Sequence, residues 1–438
     1  MKRSLLIVLI LAICSAMAFA DEKDSGVKVY VGKDKVSLAD SARMYKVLLD
    51  NTPTEPQFML EPRFAVLGLN GKFYFSIGSR LRFTASYDWG CPVSCPIGMS
   101  ISKLVPAVLD NKDLFQMSAG TSNIYFNIVG FPHSSNQIGL FISLGLDAES
   151  NNTYRVKVSQ IYMCYRNFQC GYAKSLYNDP VASAYTIDDN GPCSSGTIKS
   201  VLINYQRAFG KHFSFGAGVE IPRVSCTQSI PEGMKIEDVK TAVTMVHQRM
   251  PDFPLYVQWR WEKVGHLRLS AVLRNITFYN YMTAKRTDVT GYGIKLTGTA
   301  KVGSWTFNGM IQGGSAIANY VNDNAGAGLD LVPCDEDGLL KPTKSIGAVA
   351  SVQYNFTPKI FATAMYSYLQ NDIPKYTCAA TTSYNVHAKR GHSATVNLIW
   401  KISDLFSTGI EYVHAAKTND LYGTLHNNRM YGMFMMNF

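Results

Sequence analysis

Beyond residue 71, apolar and polar residues alternate with a period of two through most of the chain. In 254–262, Leu255, Val257 and Trp259 take one side, and Gln258, Arg260 and Glu262 take the other. In 266–277, Leu267, Leu269, Ala271 and Leu273 oppose Arg268, Ser270 and Arg274. In 343–356, Ile346, Ala348, Ala350, Val352 and Tyr354 oppose Ser351, Gln353 and Asn355. This is the pattern of strands whose two faces meet different surroundings. The helical period of 3.6 appears only before residue 51.

Turn residues divide the alternating region. Tight turns fall at 208–213, 262–266, 301–305, 356–360 and 401–405, with a shorter one near Asn167 and a looser one at 130–136. Longer connections, rich in Gly, Pro, Asn and Asp, fall at 90–113, 148–153, 175–193, 222–253, 278–288, 321–342, 371–387 and 416–426. The two kinds alternate. Between them lie sixteen predicted strands: 72–89, 114–129, 137–147, 154–166, 168–174, 194–208, 212–221, 254–262, 266–277, 289–301, 304–320, 343–356, 359–370, 388–401, 405–415 and 427–438. In 194–208 and 359–370 the parity is imperfect, as a bulge or a displaced boundary would make it.

Strand length, even number and segregated connections predict an all-β fold, a transmembrane antiparallel β-barrel of about 16 strands. A closed barrel is the sheet that spans lipid without an unpaired edge. Trp259, Trp261, Trp305 and Trp400 lie beside short turns, where an interfacial aromatic girdle belongs. The last strand carries apolar residues at Met430, Phe434, Met436 and Phe438, so its apolar face meets lipid. Phe434, Met436 and Phe438 read as the insertion signal for the barrel-assembly machinery, and the expected location is a Gram-negative outer membrane.

The chain start supports export. Lys2 and Arg3, an apolar run from Leu5 to Ile13, and Ala18-Phe19-Ala20 form a secretory signal peptide over 1–20. A lipoprotein signal at Cys14 is the competing reading, and Ile13 is bulky for it. Residues 21–71 form a periplasmic N-terminal segment with one short helix, opened by a Ser37–Asp40 capping box, and the barrel spans 72–438. The helix either rests under the pore or belongs to a linker.

Composition agrees with a sheet that faces both water and lipid. Charged residues are 17% and aromatic residues 12%, and mean hydropathy is −0.02. The formal charge is +10, or +8 without Lys2 and Arg3. An exported basic chain meets anionic lipid or solutes, so nucleic acid is not an expected partner. Eight cysteines remain after Cys14, and disulfides are the default in an oxidising compartment. Cys91 and Cys95 in "CPVSC" are read as a loop disulfide rather than half a zinc site.

Two stretches resemble the DcaP-like family of trimeric outer-membrane porins. One is "FMLEPRFAVLGLNGKFYFSIGSRLRFTASYDWG" (58–90). The other runs from "TSNIYFN" (121–127) through "IYMCYRNFQCGYAKSLYNDPVASAYTIDDNGP" (161–192). The resemblance implies sixteen strands, a homotrimer and passage of small anions, including dicarboxylates. Asn123 stands where the family pattern tends to have Arg, and the cysteines and the Asp188-Asp189 pair are particular to this chain.

A barrel of ~16 strands is wide enough to hold water, so passage of solutes is the expected activity. By parity the channel-lining set is Arg80, Arg82, Arg155, Lys157, Arg260, Arg268, Arg274 and Lys295, opposed by Asp88, Glu220, Glu262 and Glu411. Basic excess in a narrow aqueous pore favours anions. Some of these residues are expected to pair with acids, Glu220 with Arg260 for example. The third long loop carries Asp179, Asp188 and Asp189 and either folds inward as a constriction, stays a solvated tip or binds a divalent ion. "CDEDG" (334–338) raises the same choice, without the full calcium-loop pattern. No G-x-S-x-G or H-E-x-x-H surrounds any of the eight histidines, so neither an enzyme, a resident metal nor a cofactor is expected. A structural or adhesive barrel with a loop-blocked lumen, plugged for example by 222–253, is the alternative.

Overall fold

The structure, a computed structural model, describes residues 28–31, 38–53, 64–68, 72–107, 112–132, 134–148, 154–196, 198–227, 245–280, 284–333, 340–373 and 387–437. In chain order the elements are β1 (Lys28–Val31), α1 (Leu38–Asp50), β2 (Phe64–Gly68), β3 (Phe73–Gly90), β4 (Asp113–Ser118), β5 (Asn123–Gly130), β6 (Ile138–Ala148), β7 (Tyr154–Tyr165), β8 (Phe168–Lys174), β9 (Lys199–Phe209), β10 (Phe213–Glu220) and β11 (Met245–His247). They continue as β12 (Phe253–Trp261), β13 (Gly265–Asn280), β14 (Lys285–Val302), β15 (Trp305–Ser315), β16 (Leu331–Pro333), β17 (Leu340–Pro342), β18 (Lys344–Asn355), β19 (Ile360–Asp372), β20 (Arg390–Lys401), β21 (Phe406–Asn419) and β22 (Gly423–Asn437).

Each wall strand pairs antiparallel with the next, and β22 closes on β3 from Asn427↔Gly90 to Asn437↔Arg80. The wall is a closed 16-strand barrel. β4 and β5 count as one wall strand. They pair with the two halves of β3 and are interrupted at 119–122, where Thr121 takes φ 71. β11 adds three residues beside the end of β13.

Closure leaves no free edge, which is what lipid demands of a sheet. Short turns gather at one rim. Gly210 and Gly303 supply the left-handed conformation there, at φ 63 and 58. Arg166 and Lys263 adopt it at φ 53 and 64, at a cost of roughly 1–2 kcal/mol for a residue with a Cβ.

The outer face is apolar. Val257, Trp259, Leu267, Leu269, Leu296 and Ile311 stand exposed on it, as do the four predicted girdle tryptophans. Phe434 stacks on Phe406, and Phe434 and Met436 lie opposite Phe83 and Leu81 of β3 on this face. Phe438 and the segment 1–20 lie outside the described residues.

The inner face differs from the sequence reading. In β19 strict alternation holds, with Phe361, Thr363, Met365, Ser367, Leu369 and Asn371 buried. Three of these six are apolar, and that is why parity looked broken in 359–370. They face packed loops rather than water. In the other irregular stretch, β9 begins at Lys199, so 194–198 belongs to the preceding loop. The predicted strand 304–320 ends at Ser315, because Ala316 at φ 55 turns the chain into the barrel. A bulge does occur, between β6 and β7 at Ser143/Leu144.

The N-terminal segment carries two short strands besides its helix. β2 pairs with the lower end of β3, and β1 runs parallel along β2. The helix α1 enters the short-turn mouth. Met44 and Leu48 are buried against Tyr74 and Val129 of the inner wall. Asn127 Nδ2 donates to Leu48 O (2.6 Å) and to Thr52 Oγ1 (3.0 Å), and Asn51 Nδ2 donates to Asn127 Oδ1 (2.5 Å). Gly139 admits this contact, since a Cβ there would collide with Asn51.

Candidate functional site

Three long loops fold into the barrel from the far rim: 91–107, 175–196 and 316–332. Their residues Val93, Met99, Ile101, Tyr177, Ile187 and Tyr320 form one apolar cluster with inner-wall residues Tyr125, Phe141, Phe361 and Tyr431. The loops also bond to one another. Asn190 Nδ2 donates to Met99 O (3.0 Å) and Asp323 Oδ1 (3.2 Å), and Asp189 N donates to Ile97 O (2.9 Å). Asn322 N donates to Ser195 O (2.6 Å).

Charged side chains of the wall fasten these loops. Arg429 of β22 binds Asp88 through both carboxylate oxygens and also donates to the carbonyls of Val93, Cys95 and Gly98. Lys417 Nζ donates to Ser102 O at 3.2 Å. Glu411 of β21 receives the successive amides of Ile187 (2.7 Å) and Asp188 (2.7 Å). Asn397 Nδ2 donates to Glu411 Oε2 (2.9 Å) and to Tyr185 O (2.8 Å). Arg82 donates to Ile187 O, and Arg80 Nη2 to Thr121 O (2.6 Å).

The third loop lies inside the barrel, and its acids divide three ways. Asp179 is buried. It accepts from His266 Nε2 (2.7 Å) and Thr297 Oγ1 (2.6 Å) and caps a short turn through Val181 N (3.2 Å). Burial pushes its carboxyl up, but the His266 hydrogen bond and the nearby Arg268 bring it below the usual range. Asp188 accepts from Met99 N (3.0 Å) and Asn190 N (3.0 Å), and burial beside Glu411 raises its pKa well above the ordinary value. Asp189 is exposed.

Below the third loop a cavity of about 820 Å³ opens at the short-turn rim. Its floor is Leu176–Val181, and the end of α1 and the residues just after it contribute Asp50–Pro53. Arg166 and Lys263 stand on its turns, and Arg260, Arg268 and Lys301 on its wall. The acids lining it are Asp50 and Asp179. Arg268 lies 3.7 Å from the centre of the Tyr256 ring and donates to Leu176 O, so it also fixes the floor. Amides continue the wall: Asn204 Nδ2 donates to Gln169 Oε1 (3.0 Å), Gln206 Nε2 to Asn204 Oδ1 (3.2 Å) and Tyr256 Oη to Gln206 Oε1 (3.0 Å).

The sequence-derived set is therefore dispersed. Arg260 and Arg268 line the vestibule. Arg274 is buried in ion pairs with Asp252 (2.9 Å) and Asp330 (3.0 Å), so it offers no charge to a solute. Lys295 is buried against the Tyr177 ring at 4.2 Å. Arg80 and Arg82 hold backbone carbonyls, whereas Arg155 and Lys157 are exposed near the long-loop rim, where Lys157 pairs with Asp147 at 2.8 Å. Glu220 does not meet Arg260; it receives Ser175 Oγ (2.9 Å) at the other end of β10. Glu262 pairs loosely with Lys211 (3.7 Å) at the rim. Parity pointed to Lys301 and Arg429, on the same faces as Lys295 and Tyr431, and they were missed. Arg166 and Lys263 sit in turns, where parity gives no sign.

Cys91 and Cys95 are unbridged, contrary to the expected loop disulfide. Cys164 pairs with Gln169 and Cys170 with Met163, so these two cysteines lie on opposite faces and cannot join. Cys334 and Cys378 lie outside the described residues, as does "CDEDG". Among the described residues no cluster of His, Cys, Asp or Glu is arranged to hold a metal.

No protein-family model and no curated protein matches the sequence. Solved structures do match the fold. The outer membrane channel DcaP of Acinetobacter baumannii aligns over 84% of this chain and 99% of its own, at 15% identity and a TM-score of 0.70. The chain has the fold of the DcaP channel. An anion-selective porin from Comamonas acidovorans aligns over 84% of this chain and 100% of its own, at 9% identity and a TM-score of 0.54. The barrel is thus of the Gram-negative outer-membrane type.

Proposed function

We propose that the protein is an outer-membrane porin that passes small hydrophilic solutes and favours anions, carboxylates and dicarboxylates among them. The observation that carries this is the vestibule: Arg166, Arg260, Lys263, Arg268 and Lys301 against Asp50 and Asp179. Low-dielectric walls confine the field of such charges, lowering the energy of an anion and raising that of a cation. Guanidinium groups also match carboxylates geometrically. Asp179, held by His266, lies beside Arg268 in the floor of the vestibule. The working unit in this reading is a homotrimer in outer-membrane lipid, assembled by machinery that reads the last strand. The reading assigns no chemical reaction to the barrel.

Reversal potentials in a salt gradient test it in planar bilayers. The wild type is expected to select anions at low salt and to lose selectivity in concentrated electrolyte, since the Debye length is ~8 Å at physiological salt. Combining Arg260→Gln, Lys263→Gln and Lys301→Gln removes three vestibule charges and is expected to move the reversal potential toward cations. A cation-selective wild type, or an unmoved potential, would refute the anion reading.

One observation favours a second reading. The three interlocked loops fill the lumen above the vestibule, as a structural barrel with a blocked lumen requires. Absence of any conductance from correctly assembled protein would decide for it.

A further inference from the structure

A buried acid cluster lies where the sixth long loop meets the wall, away from the vestibule. Glu220 ends β10, and Asp252 precedes β12. They bridge through their backbones, Glu220 N to Asp252 O (3.0 Å) and Asp252 N to Glu220 O (2.9 Å). Their exposures are 2% and 0%. Tyr320 of the sixth loop sets its hydroxyl between them, in contact with Glu220 Oε1 and 2.9 Å from Asp252 Oδ2.

The surroundings do not balance the charge. Arg274 of β13 donates Nε to Asp252 Oδ2 (2.9 Å) and Nη1 to Asp330 Oδ1 (3.0 Å). Asp330 comes from the sixth loop and Ser175 from the third. Arg223 contributes its carbonyl, and Lys295 is directed instead to the Tyr177 ring and Asn178. Three carboxyls thus face one guanidinium. The outer oxygens Glu220 Oε2 and Asp252 Oδ1 are buried and accept no hydrogen bond.

A tyrosine hydroxyl carries a single proton. It donates to one carboxylate, and its contact with the other is favourable only if that carboxyl carries a proton to donate back. Two ionised carboxylates in one buried site repel each other, so one holds its proton more tightly. We infer that Glu220 and Asp252 share one proton through Tyr320, and that this proton locks the sixth loop inside the barrel and is lost as pH rises. The consequence for conductance rests on the porin reading, because the locked loop fills the lumen.

The sign follows from linkage. Burial, only partly offset by Arg274, raises the Asp252 carboxyl from 3.8 to about 6. A group that binds its proton more tightly in the locked state favours that state at low pH. The advantage declines as pH rises from 3.8 and is gone above about 6. A shift of ~2 units corresponds to as much as ~100-fold in the ratio of locked to released loop.

The test is hydrogen–deuterium exchange of the loop 316–332 in the reconstituted full-length protein, with single-channel recording of the same sample at about pH 5 and about pH 8. Exchange, corrected for the intrinsic effect of pH, and open probability are each expected to rise about tenfold or more at the higher pH. Glu220→Gln sets a neutral group with an N–H donor at one of the two positions that share the proton and should hold the loop locked at both pH values. Asp252→Asn serves if that variant fails to assemble. Corrected wild-type exchange that ignores pH overturns the lock, as does an E220Q variant that follows wild type. Recovery of the low-exchange state by calcium at about pH 8 overturns it too, assigning the site to a cation. If exchange responds to pH while no current flows at any pH, the lock stands and the porin reading falls. Current with pH-indifferent exchange does the reverse.

Discussion

At the scale of single residues, inward-facing charge in this barrel does two different jobs. Arg429, Glu411 and Lys417 hydrogen-bond loop backbone. Arg260 and Lys301 line open space in the vestibule. Glu411 shows what the first job is worth. Its two oxygens receive the amides of Ile187 and Asp188 inside the barrel, where water cannot replace them. Glu411→Ala strands those amides, at roughly 1–3 kcal/mol for each buried donor left unmet. The expected result is a third loop cut near 187 by protease while the barrel keeps its heat-modifiable migration. A loop as resistant as wild type would show that the apolar contacts of Ile187 hold it alone. Asp88→Ala, by contrast, leaves Arg429 as an uncompensated buried charge. It should cost roughly 3–5 kcal/mol and lower the temperature of barrel unfolding on gels.

Among the elements, α1 has a local sequence that predicts a helix but not its resting place. Tyr45, Leu48 and Leu49 mark an apolar stripe, and the structure buries Met44 and Leu48 while Leu49 is exposed. The partner face, Tyr74, Asn127 and Val129, belongs to two strands, β3 and β5, whose pairing brings it together. Because Asp50–Pro53 line the vestibule, release of the helix should widen its mouth. Combining Met44→Ala and Leu48→Ala removes the buried contact, each truncation costing ~2–5 kcal/mol. Larger single-channel conductance is expected, together with protease cleavage around 38–53. Unchanged conductance with the helix cleaved away would mean that it does not narrow the path.

For the whole molecule, the short and long connections predict its orientation, with short turns toward the periplasm. An epitope at 210 should be hidden in intact cells, and one placed at 230–240, in the long connection after β10, should be reachable. Labelling of both would break the topology.

The strand pattern alone determined the wall: sixteen strands, their faces, the girdle tryptophans and the outward Phe434 and Met436. Period-two alternation between lipid and interior is a local property, readable residue by residue. Only the tertiary structure decided what the interior is. Parity marks Arg274 and Arg260 alike as inward, yet one is closed in by Asp252 and Asp330 and the other meets the cavity. That difference depends on residues brought from outside the strand, Asp252 22 and Asp330 56 positions from Arg274, and the reach is longer elsewhere, as when Glu411 takes hold of Ile187, 224 residues away. Contacts of such separation leave no periodic trace, because the loop that brings them obeys no repeat.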